Sequence, residues 1–350
     1  MGWQKTLLNW YWKHKRSLPW RETKDPYKVW LSEIILQQTK VAYGVKYYKD
    51  FIRIFPTIQD LAKADQQTIL NLWQGLGYYN RAVNLHHTAK YISNNLDGKF
   101  PTQFDELIKL KGIGDYTASA ISSICFNKNI PVVDGNVYRV LSRYFGITNP
   151  INRLSSFKVF KAKANELIKD VQSSGDYNQA IMEFGALQCK PKPECSKCVL
   201  SNRCFAFQHN VVNELPVKLK KKKNKTRYFN YIVPVNKERK TKIVQRDSSD
   251  IWNRLYQFPL IESNNNVINF STSFLENNFD EDLILNKKSI EKINRTKIKH
   301  ELTHQTLYIS FWKLEINSPI INGVKISDIH NYPFPVPIKN FINNFINTGN

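Results

Sequence analysis

The hydrophobic period changes once along this chain, and that change governs what the chain can fold into. From Trp3 to about Gly185, apolar residues recur at i, i+3 and i+4 in runs broken by Pro, Gly or Asn. This spacing predicts helices with one buried face over 29–43, 69–73, 81–92, 104–110, 116–125, 137–144 and 157–171. After the lysine-rich stretch LPVKLKKKKNKTRYF the runs become short, β-branched and aromatic: RYFNYIVPV, KIVQRD, LYQFPLI and HELTHQTLYISFWKLEI. Alternation replaces the helical period there, so Leu307, Ile309 and Phe311 should share one face of a strand. The expected organisation is a mainly α domain over 1–212, an exposed basic linker over 213–227, and a smaller α/β domain over 228–350. With 350 residues and 42% hydrophobic content, both domains can bury a core.

Charge restricts the partner. Lys+Arg number 51 against 29 Asp+Glu, a net charge of +22, which predicts attraction to a polyanion, the plainer alternative being a generally basic soluble protein. The basic residues are interleaved with aromatics and no apolar stretch is long enough to span a bilayer, so nucleic acid is favoured over a membrane. Residues 1–15 hold no uninterrupted apolar segment of the signal-peptide kind. MGWQKT meets the loose myristoylation pattern, but Trp3, Leu7, Leu8, Tyr11 and Trp12 read better as the buried stripe of an opening helix.

Four of the five cysteines fall in CKPKPECSKCVLSNRC, spaced C-x5-C-x2-C-x5-C. A single tight cluster without a secretion signal points to a metal centre rather than a disulfide framework. Only Cys195 and Cys198 form a CxxC pair, so spacing favours iron–sulfur over zinc without excluding zinc. Lys190, Lys192, Lys197 and Arg203 on the same loop could grip phosphates or simply face solvent. Cys125, alone in an apolar run, is expected in the core.

In LKGIGDYTASAI, Gly112 and Gly114 permit a tight turn at the start of a helix, flanked by Lys109 and Lys111. Such a turn is either an ordinary helix connection or an anion site built from backbone amides and the helix dipole; the net charge favours a DNA phosphate. In VWLSEIILQQT, Glu33 is the only charged residue. A carboxylate among Val29, Trp30, Leu36 and Gln37 is partly desolvated, so its pKa should rise toward neutrality, as a general acid requires; pairing with a distant Arg or Lys is the plainer alternative. Asp134, in IPVVDGNVYRVLSRYFG, precedes a helix and suits an N-cap, yet a capping carboxylate can also face a cleft. Paired carboxylates suit glycosidic chemistry, one protonating the leaving group and the other stabilising an oxocarbenium-like sugar.

Taken together, LPWRETKDPYKVWLSEIILQQTKV, LWQGLGYYNRAVNLH, LKGIGDYTASAI, VVDGNVYRVLSR, NQAIMEFGALQC and the four cysteines resemble the adenine DNA glycosylase (MutY) family of the helix-hairpin-helix, iron–sulfur glycosylase superfamily. WNRLYQFP, KHELTH and YPFPVPIKNF extend the resemblance, more loosely, into the second half, which resembles the Nudix fold. The resemblance implies a monofunctional enzyme that extrudes adenine from duplex DNA, where it is mispaired with 8-oxoguanine or guanine, and hydrolyses its glycosidic bond. It implies that Glu33 protonates adenine N7 and later helps activate water, that Asp134 stabilises the cationic sugar, and that Tyr116 and Asn136 line the reacting sugar and the two carboxylates. Trp20, Arg21 and Glu183 match positions around the extruded adenine, and Gln38 and Tyr78 match residues that wedge into the duplex. Residues 111–114, with Lys111, Gly112 and Gly114, match the phosphate-binding hairpin. Cys189, Cys195, Cys198 and Cys204 match the ligands of a 4Fe-4S cluster, and Leu302, Thr303 and His304 match the motif that senses 8-oxoguanine. The family also implies a monomer in a bacterial cytoplasm, associated with the nucleoid, with clamp or mismatch-repair proteins as partners.

Tyr116 separates this reading from its nearest rival. The sister enzymes that remove oxidised pyrimidines and cut the strand carry a lysine there, whose amine attacks the sugar; a phenol cannot form that Schiff base. A catalytically silent iron–sulfur DNA-binding protein is the rival from another class, and Glu33 with Asp134 speaks against it. No Nudix box stands between Gln257 and Lys287, so the second domain is expected to recognise rather than hydrolyse nucleotides. The chain departs from the family in four places: a first cysteine gap shorter by one, Lys111 where proline is common, Leu-Thr-His for Phe-Ser-His, and no glycine pair after Trp252.

Overall fold

The computed structural model describes residues 2–220, 224–246, 250–267, 269–270, 287–294 and 296–347. The lysines at 221, 222 and 223, and much of the 257–287 stretch that lacks a Nudix box, lie outside the described residues. The chain forms two compact units, Met1–Ala64 with Asn84–Lys221, and Asp65–Val83 with Lys222–Asn350.

Helices α1 (Trp3–His14), α2 (Pro26–Leu36), α3 (Val41–Ile54), α4 (Ile58–Lys63), α5 (Gln66–Leu72), α6 (Asn80–Asn95) and α7 (Phe104–Leu107) occupy the first part of the chain. They are followed by α8 (Asp115–Phe126), α9 (Gly135–Phe145), α10 (Ser156–Ile168), α11 (Ser174–Leu187) and α12 (Phe205–Gln208). Asp25 starts α2 by accepting from the Tyr27 amide at 2.9 Å, with Pro26 at the first helical position. Eight of its residues, Glu33 among them, are buried, so α2 is a central helix rather than a surface one. The run expected over 29–43 is two helices, because α2 stops at Leu36 and Gln38 takes φ 56°, a left-handed conformation that no helix continues through. Within α1, Leu7, Trp10 and Tyr11 form the buried stripe; Trp12 instead lies 53% exposed beneath Lys15, so its place in the expected stripe is corrected. Cys125 is partly buried.

Two glycines on α11 set helix spacing. A Cβ on Gly175 would meet Ile124 Cα of α8 at 2.8 Å, and one on Gly185 would meet Asn136 Cβ of α9 at 2.7 Å. The first half of the expected linker is not free chain. Leu215 is buried, Ile151 N donates to Val217 O at 3.0 Å, and Asn152 and Leu219 exchange two hydrogen bonds, holding this stretch on the helical unit.

In the second unit the strands are β1 (Lys225–Val235), β2 (Lys240–Thr241), β3 (Val244–Gln245), β4 (Tyr256–Gln257), β5 (Leu260–Ser263), β6 (Lys287–Lys292), β7 (Ile298–Glu301), β8 (Gln305–Ile316) and β9 (Val324–Lys325). The main sheet runs β5-β1-β8-β6, with β7 also on β8; β1 and β8 are parallel and the other pairs antiparallel. Leu307, Ile309 and Phe311 do share one face, buried with Phe229, Tyr231 and the terminal helix α13 (Val336–Asn347). Phe311 stacks on Phe341 of that helix at 3.8 Å. The second unit takes in Asp65–Val83 for a reason invisible to periodicity. Gln67 and Asn71 both donate to Asn331 O, at 2.9 and 3.0 Å, and Gln74 donates to Phe334 O at 3.2 Å.

Candidate active site

Glu33 sits one turn from the end of α2 with 7% of its surface exposed. Burial raises its pKa from the ordinary 4.5 to about 7; the Tyr116 hydrogen bond opposes that rise, the charge on Asp134 adds to it, and Arg21 opposes it. Tyr116, in the first turn of α8, donates its hydroxyl to Glu33 Oε2 at 2.7 Å and lies 3.3 Å from Met182 Sδ. Burial holds the phenol well above its usual pKa, so it stays a donor.

Asp134 caps α9. Its Oδ1 accepts from the amides of Asn136 and Val137 at 2.9 and 2.8 Å, and its Oδ2 accepts from Asn136 Nδ2 at 3.0 Å. Burial pushes its pKa up, while these donors favour the ionised form and pull it back. Arg139 fixes Asn136 in turn, donating to its Oδ1 at 2.8 Å while also donating to Gly185 O and Cys189 O, each at 2.6 Å. Asp134 is thus the N-cap that its place before the helix suggests.

Glu183, 1% exposed, receives Arg16 and Arg21 as a double ion pair at 2.6 and 2.7 Å. Burial alone would raise its pKa, but hydrogen bonds from Arg21 and Arg16 hold it at about 2. The unit therefore keeps two buried glutamates with opposite tendencies. Trp20 is buried edge-on against Tyr48 at 5.3 Å. Gln38 is exposed and left-handed.

The hairpin turn is closed by Thr88, which donates to Lys111 O at 2.7 Å. Gly112 has φ 81°, and a Cβ there would meet Asn84 Cβ at 2.7 Å, so glycine is required twice over. Gly114, exposed, precedes the 12-residue α8, and a Cβ there would meet nothing within 4 Å. Lys111 is exposed.

Cys189, Cys195, Cys198 and Cys204 line one pocket whose wall includes Val140, Phe184 and Leu200. Arg143, 4% exposed, braces the loop by donating to Lys190 O at 2.8 Å and Pro191 O at 3.0 Å, with Nη1 3.7 Å from Cys189 Sγ. Among the described residues no three His, Cys, Asp or Glu side chains converge on a single ion. Four thiols spread round one apolar-walled pocket, with a guanidinium beside one sulfur, fit a multi-atom cluster of thiolate-bound metals.

In the second unit, Leu302, Thr303 and His304 form the turn between β7 and β8, and Tyr78, 50% exposed with φ 47°, bonds through its hydroxyl to Thr303 Oγ1 at 2.5 Å. Tyr78 belongs with the 302–304 turn to the second unit, and Glu33, Tyr116, Asp134, Asn136, Arg21 and Glu183 belong to the helical unit. Sequence reasoning missed Arg16, Arg139 and Arg143. Their one local signal is basic residues at i+3 and i+7 after Asn136 on α9; nothing marks Arg16.

Gly185→Ala should displace Asn136 and hence the Asp134 cap. An inserted methyl against α9 costs about 1–3 kcal/mol, and a shift of about 1 Å at the site costs roughly 100-fold in rate. A thermal melt and a single-turnover assay would check it; unchanged activity would mean that the helices separate without moving Asn136.

Fold and site together define a base-excision glycosylase joined to a Nudix-type domain. Residues 31–166 match the family described as HhH-GPD superfamily base excision DNA repair protein, and residues 230–344 match the NUDIX domain. A thermostable thymine-DNA glycosylase superposes with a TM-score of 0.54 at 30% identity, covering 59% of this chain and 95% of its own. An endonuclease III in a DNA complex shares the fold at 22% identity, with a TM-score of 0.51 and coverage of 59% and 94%. The adenine DNA glycosylase of Buchnera aphidicola subsp. Schizaphis graminum (strain Sg) is 36% identical over 356 residues, 97% of this chain and 97% of its own. That of Homo sapiens is 42% identical over 214 residues, 58% of this chain and 39% of its own. The chain belongs to the adenine DNA glycosylase family. No helix among the described residues is long and apolar enough to cross a membrane.

Proposed function

We propose that this protein removes adenine paired with 8-oxoguanine or guanine from duplex DNA by hydrolysis, acts as a monomer, and leaves the strand uncut. The observation that carries this reading is the hydrogen bond from Tyr116 to Glu33, 2.7 Å long, in a site where Glu33 has a pKa of about 7. Glu33 in its protonated form donates to adenine N7. The C1′–N9 bond breaks with its electron pair leaving on adenine, and the sugar becomes oxocarbenium-like. The Asp134 carboxylate, whose three hydrogen bonds favour its ionised form, stabilises that cation. Glu33, now ionised, accepts a proton from the water that adds to C1′. Tyr116 supplies no amine, so no Schiff base forms and the abasic strand is released intact.

The surrounding residues serve binding. Trp20, Arg21 and Glu183 surround the extruded base, Gln38 and Tyr78 wedge into the duplex, and Lys111, Gly112 and Gly114 take a backbone phosphate. The left-handed backbone at both Gln38 and Tyr78 supports the wedge assignment, since each costs conformational energy that a plain surface residue would not retain. Leu302, Thr303 and His304 read the 8-oxoguanine. Cys189, Cys195, Cys198 and Cys204 hold a 4Fe-4S cluster, which braces the basic loop when bound.

Duplexes carrying adenine opposite 8-oxoguanine, guanine or thymine, and thymine opposite guanine, test this directly. Strand breaks should appear after hot alkali, only where adenine faces 8-oxoguanine or guanine. Breaks without alkali would revive the lyase reading. Breaks at thymine opposite guanine would move the substrate, and tight binding without breaks in any duplex would leave a DNA-binding module.

A further inference from the structure

Asp115 is an awkward residue to find where it stands. It is the first residue of α8, immediately after the exposed Gly114, so its carboxylate stands at the turn that opens the helix. An acid there suits the helix dipole but occupies the electrostatic position a DNA phosphate would take, and repels that phosphate. The structure answers it with a lysine from a distant helix. Lys161 of α10 donates to Asp115 Oδ1 at 2.7 Å, to Ser119 Oγ at 3.0 Å and to Pro131 O at 2.9 Å. These three acceptors match the three protons of an ammonium group. The side chain is 16% exposed and passes the rings of Phe104 and Phe157 at 5.8 and 5.9 Å, so the charge pair is screened less than a surface pair.

We infer that Lys161 is a positioning residue that cancels the charge of Asp115 at the hairpin, leaving the start of α8 open to a DNA backbone phosphate. With all three protons engaged inside the protein, Lys161 acts through Asp115 rather than by touching DNA. The inference rests on the glycosylase reading, because it presumes duplex DNA at this turn.

Lys161→Met, Asp115→Asn and the double variant, each in the full chain, test it by fluorescence anisotropy on an undamaged duplex at several salt concentrations. Lys161→Met should weaken binding about tenfold at low salt, less as salt rises. Asp115→Asn should bind at least as tightly as the unaltered chain. The double variant should match Asp115→Asn alone, because without the carboxylate there is nothing for Lys161 to cancel. A double variant clearly weaker than Asp115→Asn would overturn the inference in favour of a direct phosphate contact. If Lys161→Met fails to fold, Asp115→Asn decides alone: binding weaker than the unaltered chain overturns the inference, equal or tighter binding upholds it. An unaltered chain that binds no duplex at all would defeat the glycosylase reading first, and is seen before any variant is made.

Discussion

Glu33→Gln should abolish adenine release and, at neutral pH, make the protein more stable. Both effects come from one buried carboxyl. A positioned general acid contributes roughly 100- to 10,000-fold, and an amide cannot replace it. The stability gain follows from the pKa. In the unfolded chain Glu33 titrates near 4.5, and in the folded chain at about 7, because burial disfavours the anion. Below about 4.5 both states hold the proton and there is no penalty. As pH rises from 4.5, the unfolded state loses its proton first, so folding is penalised increasingly until the folded group also ionises above about 7. The full penalty is about 3 kcal/mol at about 1.4 kcal/mol per pH unit. Glutamine removes it and can still accept from Tyr116. Denaturant midpoints for both proteins at pH 4.5 and pH 8 should coincide at the lower pH and separate at the higher, with the variant more stable. The single-turnover rate of the unaltered protein should fall about tenfold per pH unit above about 7. A rate flat from pH 6 to 9 would mean that Glu33 is not the proton donor, and a variant no more stable at pH 8 would mean that burial does not raise its pKa.

Glu183→Gln should have the opposite thermodynamic sign. Glu183 is held at about 2 by Arg16 and Arg21, so its stabilising effect is full above about 4.5 and is lost as pH falls from 4.5 toward 2. Glutamine leaves two guanidinium groups without their counter-charge. Arg21 is 12% exposed and Arg16 34%, so part of the loss is recovered through solvent; about 2–4 kcal/mol at pH 7 is expected. A second effect reaches the chemistry. Arg21 already lowers the pKa of Glu33, and its field is partly cancelled by Glu183. Once Glu183 is neutral, that field is uncancelled, Glu33 ionises more easily, and the alkaline limb of the rate profile should move to lower pH. A variant that loses stability but keeps the limb in place would confine Glu183 to a structural role.

Much of the chemistry was legible in short stretches. Glu33 stands alone among apolar residues, and in the folded chain it is buried and raised for the reason its neighbours suggest. Asp134 has the composition of an N-cap, and it caps. The period change after residue 215 separated helices from strands, and the alternation of Leu307, Ile309 and Phe311 marked the buried face of β8. These features depend on residues within a turn or two of one another, where spacing and chemistry are the same thing. The run over 29–43 shows where that reasoning weakens: both halves are apolar enough to continue a helix, and only the left-handed turn at Gln38 divides them.

By itself, then, the amino-acid order determined the helices and strands, the cysteine set, the glycine turn and the two acids, because each depends on local periodicity, capping or covalent spacing. Tertiary structure alone decided that Arg16 and Arg21 converge on Glu183, that Lys161 meets Asp115 across 46 residues, and that Asp65–Val83 joins the second unit through carbonyls at Asn331 and Phe334. It also decided that Leu215 is buried rather than part of a free linker. A buried charge or an open carbonyl must find a partner, but any of many distant residues could supply it, and only the packing of helices and sheet selects which one does.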